Sequence, residues 1–194
     1  MARPVQYDRE EILDKAMQTF WEQGYCATSM ATLVETTDLK PGSLYAAFES
    51  KQGLFLAALD HYGALSAEKL KARLSKSESP LGAIESYFDR LADDIEKPRG
   101  KNSCFLVNTV LELSRRDAQI RKRINRHFGN IESAFVDALT NARERGELDT
   151  HTDCTALAAF LMNNIWGLRV LAGTKPAPGR ARQIVWLVKQ ILRG

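Results

Sequence analysis

Apolar side chains recur every three or four positions along nearly the whole chain, which predicts a protein assembled from helices. Ile12, Leu13, Ala16, Met17 and Phe20 make the first such set, capped by Asp8 and stopped at Gly24. Met30, Leu33 and Val34 follow the hydroxyl pair Thr28 and Ser29 and predict a short helix ending near Thr37. Asp38 tolerates a left-handed turn conformation, so a corner precedes Leu39, which plugs it. Pro41 has its φ pre-set for a first helical position, and Leu44 and Phe48 then fall four apart on one face. Ser50 caps a longer helix with Leu54, Phe55, Ala58, Leu59 and Tyr62 inward, continuing through His61, Leu65 and Leu70 toward Leu74.

The run Ser75, Ser77, Ser79, Pro80 breaks the pattern, and a helix is predicted from Leu81 to about Ile95 with Ile84, Tyr87, Phe88 and Leu91 inward. A polar loop over residues 96–102 contains Pro98 and Gly100, and Ser103 is the predicted cap of the apolar stretch that follows. From Asp117 a long helix carries Ile120, Ile124, Phe128, Ile131, Phe135, Leu139 and Ala142 to an end near Gly146. Asp153 caps another, striped by Leu157, Phe160, Leu161, Ile165 and Leu168, before Gly173, Pro176 and Pro178. The last helix places Ile184, Leu187, Val188 and Ile191 on one side, with Val185, Trp186 and Leu192 widening the apolar face. These two helices carry more apolar surface than one small body covers, which predicts a subunit interface and a homodimer. The expected fold is all-α with about nine helices, divided into a helix-turn-helix head at residues 1–55 and a body at residues 56–194.

Two short helices joined by a corner and locked to a third make a helix-turn-helix. Leu33 through Phe48, with the following Ser50, Lys51, Leu54 and Phe55, resemble the N-terminal domain of the TetR/AcrR transcriptional regulators. The resemblance implies a DNA-reading head on a body that binds a small-molecule effector and dimerises. It places Lys40, Gly42 and Ser43 near base edges, with Pro41 in the same DNA-binding stretch, and Tyr45, Lys51 and the helix start at Thr28 and Ser29 at phosphates. Asp38, Lys40 and Pro41 stand where the family usually has Gly, Ser and Lys, and Ala46 and Ala47 replace aromatic or His side chains. A two-fold dimer would present two recognition helices to successive major grooves of a palindromic operator. The implied function is that of a repressor released from double-stranded DNA by its effector.

Charge changes the picture in one respect. The whole chain is +3, yet residues 1–60 hold five Lys and Arg against nine Asp and Glu, a net of −4. Phosphate neutralisation dominates DNA affinity, so the acidic head keeps open a ligand carrier whose head binds protein. Arg3 in an N-terminal arm, with Lys40 and Lys51 at helix starts, supplies cations where helix termini already favour anions. Arg115, Arg116, Arg121, Lys122, Arg123 and Arg126 read as a solvated basic face.

Candidate pocket residues in the body are Phe88, Cys104, Asn108, Asn163 and Trp166, an apolar set with a few polar groups. The segment from Cys104 to Asn108 is similar to one in some TetR-like regulators that respond to electrophiles or oxidants, although a structural thiol is the simpler reading. Three widely spaced cysteines and three isolated histidines predict no disulfide framework and no metal site. No nucleophile elbow, phosphate loop or cofactor motif is present, so an enzyme is the weaker alternative and no cofactor is expected. The chain lacks a signal-peptide pattern and an apolar run of spanning length, and is expected in the cytoplasm, away from membranes.

Overall fold

The computed structural model describes residues 8–97 and 104–194. Arg3 and Pro4 of the expected arm, and Pro98, Arg99, Gly100, Lys101 and Ser103 of the expected loop and cap, lie outside the described residues. Among the described residues there are nine helices and no strand: α1 Arg9–Gln23, α2 Met30–Thr37, α3 Pro41–Phe48, α4 Lys51–Leu74, α5 Pro80–Glu96, α6 Phe105–Leu113, α7 Ala118–Glu144, α8 Cys154–Ala172 and α9 Arg180–Arg193.

Short polar side chains set most of the starts by satisfying N–H groups that have no partner in a first turn. Asp8 accepts from Glu10 at 2.9 Å, Ser29 from Thr32 at 3.0 Å and Ser50 from Gly53 at 3.0 Å. Asp117 accepts from Gln119 and Ile120, and Asp153 from Thr155 and Ala156. Ser79 caps α5, which begins at Pro80, one residue before the sequence-based start. Cys104 holds the N-cap position of α6 and makes no side-chain cap.

Two cores are stacked along the molecule. The lower one joins Phe20, Leu33, Leu44, Phe55 and Leu59 of α1–α4 to Phe105, Leu106 and Leu113 of α6 and to Ile120 and Ile124 of α7. The upper one joins Leu70 and Leu74 of α4 and Phe135 and Leu139 of α7 to α5, α8 and α9. Helices α4 and α7 therefore run through both cores as paired rods. The sequence-based division at residue 55 falls inside α4, and the core beneath it is shared by head and body. Phe55 meets Phe20 edge-on at 5.0 Å and Phe105 at 5.8 Å, which links α1 to α6 through one ring.

Between the cores the rods touch through polar groups. His127 of α7 is buried, and its Nε2 lies 2.7 Å from Asp60 Oδ1 of α4. Arg123 and Arg126 donate to the same carboxylate. Opposite the imidazole stands Gly63, which leaves it room.

Helix α8 is the one helix among the described residues long and apolar enough to cross a membrane by length and composition, contrary to the expectation that no stretch reaches that length. Its Ala158, Leu161, Met162, Ile165 and Leu168 are buried in the upper core, so its apolar character is that of a core helix. Along α9 the inward residues are Ala181, Val185, Val188 and Leu192. Leu187 and Ile191, grouped with Val188 in the sequence reading, point outward with Trp186; all three are more than half exposed. A helix of 3.6 residues per turn separates 187 from 188 by 100°, and the core took the second.

Candidate nucleic-acid interface and effector pocket

The corner between α2 and α3 forms as the side chains dictate. Asp38 adopts φ 57° and ψ 25°, a left-handed conformation open to Asp, and Leu39 behind it is buried. Helix α3 is anchored inward through Leu44 and Phe48. Lys40, Pro41, Gly42, Tyr45 and Ala46 face outward, Ser43 is half-buried, and Tyr45 is 48% exposed. A Cβ built on Gly42 would meet nothing within 4 Å, so this stretch of α3 is a bare backbone surface. Ser29 is exposed at the start of α2.

Two of the named positions sit differently from the sequence reading. Thr28 is 1% exposed, and its hydroxyl donates to the Gly24 carbonyl at 2.6 Å, so its side chain presents nothing to a phosphate. Lys51 is half-buried. Its ammonium donates to the carbonyls of Tyr25 and Thr28, both at 3.0 Å, and lies 4.3 Å from the Tyr25 ring centroid. An ammonium has three N–H donors, and these two bonds use two of them. From the other side Glu112 of α6 accepts from the N–H groups of Tyr25 at 3.1 Å and Cys26 at 2.9 Å. The loop leading into α2 is thus clamped at its carbonyls by α4 and at its amides by α6.

At the upper end of α6 lies a cavity of about 160 Å³ between α4, α5, α6, α7 and α8. Its apolar walls include Leu106, Phe128, Ile131, Met162, Ile165 and Trp166, and its polar groups are Tyr62, Ser66, Lys69, Arg73, Tyr87, Cys104 and Arg169. Burial, then the neighbouring Cys104, pushes the Tyr62 hydroxyl far above the ordinary tyrosine range, and burial raises Tyr87 against a smaller opposing effect of Arg169. Both phenols therefore keep their protons; Tyr62 donates to Cys104 Sγ at 3.5 Å.

Of the five candidate pocket residues, Cys104 and Trp166 line this cavity. Phe88 does not: it is fully buried in the core, and its neighbour Tyr87 reaches the cavity instead. Asn163 is exposed on α8, about 100° around the helix from buried Met162, and Asn108 is not among the lining residues. Tyr62, Ser66, Tyr87 and Arg169 were missed. Arg169 carried a usable signal, being the one charged residue in an otherwise uncharged α8.

Residues 12–58 match the model of the bacterial regulatory proteins of the tetR family, and residues 80–185 match that of the tetracyclin repressor-like C-terminal domain. This chain belongs to the TetR family. Among its TetR-family relatives, the HTH-type transcriptional repressor ComR of Escherichia coli K12 is 37% identical over 171 residues, covering 88% of this chain and 81% of that one. The structure of the TetR family regulator CifR, a cysteine mutant complexed with 26-bp operator DNA, superimposes with a TM-score of 0.82 at 28% identity over 99% of both chains. Reduced NemR of E. coli shares the fold with a TM-score of 0.86 at 21% identity, over 94% of this chain and 95% of that one. These matches put the helix-turn-helix and the cavity-bearing body of this chain within one known architecture.

Proposed function

We propose that the chain is a ligand-responsive transcriptional repressor that binds a palindromic operator as a homodimer and leaves it when a small molecule enters the cavity between α4 and α8. The observation that carries this reading is the pairing of an outward, side-chain-poor α3 with a continuous α4 that runs from the head to the cavity wall. Lys40, Pro41, Gly42 and Ser43 face the base edges, and Ser29, Tyr45 and the remaining donor of Lys51 take phosphates. The operator complex of CifR, 28% identical over 99% of both chains, supports a DNA-binding head. Exposed Trp186, Leu187 and Ile191 on α9, with Val170 on α8, supply the apolar face on which a second copy docks.

The head of residues 1–55 and the body of residues 56–194 act as one unit joined through α4 and the shared core, with no catalytic role and a cytoplasmic location, as befits a DNA-binding regulator. An effector that binds one head spacing better than the other by ~1–3 kcal/mol suffices to switch occupancy. Fluorescence anisotropy of the chain's own upstream duplex, titrated with protein at several salt concentrations, tests the reading. Saturable binding by a species of twice the subunit mass supports it; indifference to the duplex at low salt refutes it.

A further inference from the structure

The cavity has a one-sided chemistry. Among the described residues no Asp, Glu or His lines it, whereas Lys69, Arg73 and Arg169 all do. Its hydroxyls belong to Tyr62 and Tyr87, held protonated by burial, and to Ser66. Trp166 packs its ring on the cavity while its Nε1 is buried, with no hydrogen-bond acceptor among the described residues. An indole N–H only donates, and a buried donor left unmatched is costly; the anion-attracting character of the cavity rests on its three cationic side chains. The apolar walls add shape: the Phe128 and Trp166 rings lie 4.8 Å apart, tilted by 43°. A volume of about 160 Å³ is close to the ~150 Å³ cavity that takes one benzene ring.

We infer that the effector is a small monoanionic carboxylate carrying a single aromatic ring. The ring packs against Phe128, Met162, Ile165 and Trp166, and the carboxylate accepts from the guanidinium of Arg169 and the hydroxyl of Tyr87. Lys69 and Arg73, both exposed, sit on α4 where the anion enters. This inference rests on the regulator reading only in calling the bound molecule an effector; the binding itself stands apart from it.

The test is calorimetric titration of the full chain with benzoate and, separately, with benzamide, which has the same ring and no charge. Benzoate is expected to saturate one site per subunit and benzamide to bind at least ~10-fold more weakly, a difference of about 1.4 kcal/mol. Arg169→Gln and Trp166→Phe, each checked for cooperative melting, are expected to weaken benzoate by ~10-fold and several-fold, respectively. Equal binding of benzamide, no saturation by benzoate at about 10 mM, or wild-type affinity in both variants would overturn the inference. Inorganic phosphate as a third titrant separates carboxylate recognition from a general anion site, and equally tight phosphate binding likewise overturns it. The same samples are assayed on upstream DNA. Operator binding without benzoate binding discards the ligand class alone, and absent DNA binding discards the regulator reading alone.

Discussion

A side chain on Gly63 and the imidazole of His127 cannot occupy the structure together, because a Cβ at residue 63 would lie 2.3 Å from both Cγ and Nδ1 of the ring. Gly63→Ala therefore forces His127 away from Asp60 and pries the two rods apart at their polar waist. Overpacking of this kind costs about 1–3 kcal/mol. Thermal unfolding should show a lower midpoint, and an unchanged midpoint would mean that the ring swings aside freely.

Gly42 is the opposite case. A Cβ at residue 42 meets nothing within 4 Å, and Gly42→Val removes the most flexible residue from α3, so stability should hold or rise slightly. Operator affinity should fall by ~10-fold or more, since the added methyls stand between α3 and the base edges. Wild-type affinity in this variant would place the reading surface elsewhere.

Lys51→Ala removes the donor that holds the carbonyls before α2 and that the proposed reading also gives to a backbone phosphate. Binding should weaken on specific and random duplexes alike, and the slope of log affinity against log salt should flatten by about 0.9 per lost phosphate contact. Identical slopes would confine Lys51 to its two carbonyls.

Glu112→Ala leaves the N–H groups of Tyr25 and Cys26 to solvent. Hydrogen bonds to charged groups are worth about 1.5–3 kcal/mol, and partial exposure lowers that here. Amide exchange at residues 25 and 26 should quicken while exchange in α1 stays slow. Were both amides as protected as before, α6 would have no hold on the head through this contact.

Leu187→Glu sets a charge in the exposed apolar face of α9 without touching the buried Val185 and Val188. Sedimentation should report half the wild-type mass at concentrations where the parent chain is paired, with helix content retained. A mass equal to the parent's would move the interface off α9.

Local signals carried far in this sequence. Asp8, Ser29, Ser50, Asp117 and Asp153 mark helix starts because a cap needs nothing beyond its own first turn. Asp38 and Pro41 fixed the corner for the same reason. The faces of α9 were harder: its apolar residues wrap most of the helix, and which arc turns inward is decided by α5 and α8. The cavity was hardest, since Tyr62, Tyr87 and Arg169 come from three helices, and periodicity does not say which side chains of different helices meet. Thr28 shows the limit at the head, where a hydroxyl in the right place was spent on an inward bond to Gly24.

The interior that α1 to α4 share with Phe105, Leu106 and Ile120 bears on how such regulators can be recombined. A reading module excised after α4 would leave with an open greasy hole where those three residues had been. Anyone transplanting it onto a foreign sensor would have to carry along α6 and the first turns of α7, or rebuild the plug they provide.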